Sequence, residues 1–116
     1  MKIPKPTTAS LALFEGLVPS SEPGVEVKPM FGNVAAFVNG NMFMGVFGGD
    51  VGVKLPASDV DSLKRLGGGP FGPAERPMGG YVSLPAGYTQ SQAEPWVRKA
   101  LTYVGAQPPK AKKKAK

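Results

Sequence analysis

The chain has 116 residues, enough for one domain that folds without staples and too few for two. It contains neither Cys nor His, which excludes disulfides, thiolate nucleophiles, Cys or His metal ligands and an imidazole base. The net charge of +6 is concentrated at one end: Lys110, Lys112, Lys113, Lys114 and Lys116 carry five of the basic groups, and residues 1–109 hold nine basic against eight acidic side chains. No basic nucleic-acid-binding face is therefore expected on the domain itself.

Residues 1–7, with Pro4 and Pro6, read as a flexible N-terminal arm. The apolar stretch from Leu11 to Phe14 is interrupted by Glu15 and is too short for a signal segment or a membrane span, so a cytoplasmic protein is expected. Leu11, Phe14 and Val18 recur at spacings of three and four. They predict a short amphipathic helix, capped by Thr8 or Ser10 and stopped before Pro19. From Val25 the period changes to two. Val25 and Val27 alternate with Glu26 and Lys28 in a half-exposed strand, and apolar runs follow at 33–38 and 41–47. Asn39-Gly40 between these two runs signals a tight hairpin, because a type I′ turn needs positive φ at both central residues. Gly48-Gly49-Asp50 makes the next turn, and Val51, Val53 and Leu55 a fourth strand.

Pro56 opens a second helix, with Ser58 as its expected cap and Val60, Leu63 and Leu66 facing the core; Gly67 is placed to end it. A Gly/Pro-rich stretch follows, with a short strand expected at Phe71 and another from Tyr81 to Leu84. A last helix carries a wide apolar face of Trp96, Val97, Ala100, Leu101, Tyr103 and Val104. Ser91 and Glu94 have capping-box spacing, but Pro95 lacks an N–H, which places the start of the regular helix at Pro95 itself. The domain is thus expected over residues 8–107, followed by a disordered basic tail at 108–116. The fold class expected is α+β: two layers, an antiparallel sheet of about five strands, and three helices on one face.

Met30-Phe31-Gly32, the run from Phe37 to Phe43, Lys54-Leu55, Pro70-Phe71, Arg76-Pro77-Met78, Tyr81-Val82, Leu84-Pro85, Trp96 and Ala100 together resemble the TfoX/Sxy family N-terminal domain over roughly residues 10–110. The closest likeness is to stand-alone members. The resemblance implies a compact α+β fold with a secretion-chaperone-type layer. It also implies a link to regulation of competence or transcription, the role of members that carry a further helical domain. It brings no catalytic motif.

Candidate interaction residues are Met30, Phe31, Arg76, Met78 and Tyr81. Met30-Phe31-Gly32 reads either as core with a turn glycine or as an exposed surface for a ligand or partner. Arg76 either orders its loop or clamps a carboxylate or phosphate, with Lys54 and Tyr81 completing a small-molecule pocket or an unrecognised enzyme site. Gly67-Gly68-Gly69 follows a helix instead of opening one, which disfavours a phosphate cradle. Asp59 and Asp61 point to different faces of a helix and are better explained as capping groups than as a catalytic pair. No cofactor and no metal site is expected. The leading expectation is a non-enzymatic interaction or regulatory domain. It would act on an unknown protein partner, or by self-association, through an apolar surface or a sheet edge. The alternative is weak, nonspecific nucleic-acid association through the tail lysines.

Overall fold

The computed structural model describes residues 5–19, 22–30, 32–72, 79–85 and 87–107, without the side chain of Met30. The elements run α1 (Thr8–Leu17), β1 (Val25–Met30), β2 (Asn33–Val38), β3 (Asn41–Phe47), β4 (Asp50–Lys54), α2 (Ala57–Arg65), β5 (Gly69–Pro70), β6 (Tyr81–Ser83) and α3 (Gln90–Gly105). The fold is α+β, with an antiparallel six-stranded sheet in the order β1-β2-β3-β4-β6-β5. The sixth strand is the two-residue β5, which lies before Phe71 where the sequence predicts a strand at Phe71.

Asn39 and Gly40 have φ of 53° and 84°, the type I′ geometry their identities predict. This turn sets β2 against β3, with Val38 opposite Asn41. A bulge after Ala36 leaves Phe43 as the extra residue on β3. Phe43 and Met44, though adjacent, consequently join the same core cluster. That cluster lies between the sheet and the helices. It takes Phe14 and Leu17 from α1, Leu63 from α2, and Ala93, Val97, Ala100 and Val104 from α3. Spacings of four, three and four put the α3 residues on one stripe.

Several helix ends differ from expectation. The cap of α1 is Thr7, whose Oγ1 accepts from the Ser10 N–H at 3.0 Å. Ser10 is the third helical residue, and its Oγ accepts from the Thr7 N–H. In α2 the flanking residue is Pro56, without a side-chain cap bond, and Ser58 lies inside the helix. Leu66 falls beyond the last turn and is 56% exposed, so it does not join the core. Gly67, at φ 113°, ends α2 as expected: its N–H bonds the Lys64 carbonyl, and the Gly68 N–H bonds the Leu63 carbonyl. α3 starts at Gln90, capped by a reciprocal box of Thr89 and Gln92, and runs through Pro95. Pro95 forfeits one helical bond, to the Ser91 carbonyl, on an exposed turn. The cap and the buried stripe outweigh that loss.

The opposite sheet face is built differently. Ala35, Gly45, Gly52, Ser83 and Gly69 sit in register across β2, β3, β4, β6 and β5, a row of small residues. The row leaves room for large side chains to lie on the sheet. A Cβ on Gly52 would overlap the Phe71 ring, and one on Gly45 would sit 2.7 Å from Met42 Cε. Phe71 is 2% exposed there, edge-on to Phe47 at 6.3 Å and stacked with Tyr81 at 6.1 Å. Ser83 Oγ donates to the Pro70 carbonyl at 2.8 Å and ties β5 to the same place.

Gly52→Ala should destabilise the fold by about 1–3 kcal/mol through overpacking. In a Phe71→Ala background, itself costing about 3–5 kcal/mol, the same change should cost far less. Urea denaturation of the two single variants and the double variant measures the coupling.

Candidate interaction surface

Of the residues singled out in the sequence, Phe31, Arg76, Met78 and all five tail lysines lie outside the described residues. Met30 closes β1, paired with Asn33. Tyr81 opens β6 opposite Lys54, with Lys54 Nζ 5.4 Å from the ring centroid. The Tyr81 hydroxyl donates to the Met42 carbonyl at 2.9 Å, bridging β6 to β3 across β4. Burial pushes the Tyr81 phenol above its usual range, because the site disfavours the phenolate. Tyr81 therefore spends its polar atom inside the fold and works as part of the Phe47–Phe71 cluster. The N–H groups of Gly67 and Gly68 are likewise taken by the end of α2 and cannot cradle a phosphate.

A buried polar link, absent from the sequence reading, holds the β3–β4 turn. Ser10 Oγ donates to the Gly48 carbonyl at 2.8 Å, and the Gly48 N–H donates to Asn33 Oδ1 at 3.0 Å. Ser10 and Asn33 are both buried. One glycine is thus gripped from α1 on one side and from β2 on the other. The sequence signal was a Ser on the apolar face of α1 and an Asn opening a strand.

An open cleft of about 510 Å³ lies between Pro56 and Asp59 of the α2 start and Arg98, Lys99 and Thr102 of α3. Asp59 beside two cations gives it no single sign of charge. Among the described residues, no three His, Cys, Asp or Glu side chains converge to hold a metal. Nor is any helix there long and apolar enough to cross a membrane.

The edge of β1 is the more distinctive surface. Among the described residues, β1 ends the sheet, with β2 as its one neighbour in the order. The Gly24 carbonyl accepts from the Asn39 N–H, so by strand alternation Glu26, Lys28 and Met30 bond β2, while Val25, Val27 and Pro29 turn their backbone outward. The Val25 N–H is taken by the Glu22 carbonyl, and Pro29 has none. Among the described residues, the outward donor left on this edge is Val27, whose side chain is 44% exposed. Its neighbours Glu26 and Lys28 lie on the face away from the helices, 3.3 Å apart as an exposed ion pair. Lys28 Nζ also sits 5.5 Å from the Phe37 ring centroid.

This arrangement of strands and helices coincides with a family assignment. The family model described as TfoX N-terminal domain matches residues 18–103. The chain belongs to the TfoX N-terminal domain family. No curated protein matches it, and no solved structure does. The matched span begins just after α1, yet α1 is integral to this TfoX N-terminal domain: it supplies Phe14, Leu17 and the Ser10–Gly48 bond.

Asn33→Ala should cost about 1–3 kcal/mol by stranding the Gly48 N–H, measured by urea denaturation. Tyr81→Phe should cost about 0.5–1.5 kcal/mol through loss of the bond to Met42. A phenol whose folded pKa is raised stabilises the fold fully below its unfolded pKa of about 10, and that contribution is lost as pH rises through the folded pKa. Denaturation from pH 8 to 11 should therefore show a shallower alkaline loss in Tyr81→Phe than in the unaltered chain.

Proposed function

We propose that this TfoX N-terminal domain is a non-enzymatic interaction domain serving regulation, and that its docking element is the edge of β1. The observation that carries the reading is the state of that edge. A six-residue end strand presents an outward N–H and an exposed valine at the same residue, Val27. Sheet edges accept an added strand through main-chain hydrogen bonds, with alternate side chains giving selectivity. Edges left free in this way are usually shielded in proteins that have no use for them. Support also comes from the chemistry of the chain: it has no His and no Cys, and the Tyr81 hydroxyl is engaged internally. A regulatory role is what the family's larger members suggest.

A photoreactive residue placed at Val27 tests the reading in the cells that make the protein, with one at Leu66, the other exposed large apolar side chain among the described residues, as control. A discrete crosslinked species is expected from position 27 and not from position 66. No species from 27, or the same species from both, would overturn the assignment.

A further inference from the structure

We propose that the occupant of the β1 edge is a second copy of the chain, paired antiparallel about Val27; this rests on reading β1 as the docking element. The strand reads Val25-Glu26-Val27-Lys28-Pro29, with opposite charges placed symmetrically about Val27. A two-fold axis through Val27 puts Glu26 of one copy opposite Lys28 of the other, and the reverse pair on the other side. Both pairs lie on the face away from the helices, where directly opposed side chains of an antiparallel pair approach closely.

Backbone chemistry selects the same register. Val27 pairs with its own copy, giving two reciprocal N–H to carbonyl bonds between the outward groups of both strands. Val25 falls opposite Pro29. One has its N–H already bonded to Glu22 and the other has no N–H, so no donor is stranded at either end. The neighbouring symmetric registers fail on charge. Centring on Glu26 opposes two carboxylates, and centring on Lys28 opposes two ammonium groups. In the Val27 register the two sheets join into one, their helices lie on the same side, and the exposed valines cover each other.

One short strand pair buries less than the ~1,200 Å² of a standard interface, so the dimer is weak and concentration-dependent. Sedimentation equilibrium from about 10 μM to 1 mM should show the mass rising from 12.1 kDa towards twice that value. Salt should weaken the association. Glu26→Lys and Lys28→Glu should each remain monomeric, because each opposes like charges in the pair. Mixed in equal amounts, they should associate, since the two edges are then complementary. The doubly exchanged chain, E26K/K28E, should self-associate like the unaltered one. Val27→Pro removes the outward N–H without touching a bond to β2, and should abolish association in every charge background. Circular dichroism verifies that each variant is folded; the altered charged side chains are more than half exposed. The proposal is overturned if the unaltered chain stays monomeric to 1 mM, if either single charge variant associates as it does, or if the mixture does not associate. A position-27 crosslink to a different protein, alongside a monomeric purified chain, would sink the self-pairing and leave the docking element standing.

Discussion

Helix α3 lies close against the sheet because two of the four residues on its buried stripe are alanines. Ala93 and Ala100 let the helix backbone approach, while Val97 and Val104 fill the space between. The other helices are placed around this contact. α1 packs beside α3 over β3 and β4, and Gln90 Nε2 at the start of α3 donates to the Gly16 carbonyl near the end of α1. α2 lies over β6. The helices placed in this way cover the middle of the sheet, while on β1 Val25 packs against the core and Val27 stays exposed. The exposure of Val27 follows from how much area these helices can cover, not from anything unusual in the strand.

The two sheet faces solve packing in opposite ways. On the helix face, large strand residues such as Phe43 and Met44 meet small helix residues. On the other face the described residues place no helix; the strand residues there are small, and large side chains lie flat on them. Phe71 and Met42 fill a trough that would otherwise be bare backbone. Each aromatic ring buried in this way contributes about 1.5–3 kcal/mol, roughly what burial under a helix would give. Tyr81 extends the patch and crosses a strand to bond Met42, so the face is closed by side chains and one hydroxyl.

Where a residue type admits few conformations, the sequence was readable. Asn39-Gly40 and Gly67 both take the backbone geometry their identities demand, and the bounds of β2 and β3 follow from their apolar runs. Where two local signals compete, it was not. Ser91–Glu94 and Thr89–Gln92 both carry capping spacing, and Pro95 moved the expected start further downstream still. Tertiary packing of Ala93 and Val97 extends the helix upstream through the proline. The insertion of β6 between β4 and β5 depends on a row of small residues that aligns only after folding, so no local pattern announces it. For the candidate surface, the alternation of Val25 and Val27 with two charges gives a half-exposed strand but not its place in the sheet. Pro29 was the available clue, since proline is tolerated in strands mainly where its missing N–H would face outward.

The far end of the sheet is the two-residue β5, and its second residue is Pro70. A strand this short, with one donor missing, gives an incoming chain almost nothing to grip. The two ends of the sheet are therefore not complementary to each other. Head-to-tail growth, in which each copy would offer its β5 side to the β1 side of the next, has no second handle. Were a strand to be added at β1, the described residues would offer no matching rim at β5, and extension of the sheet would end there instead of running on into a fibre.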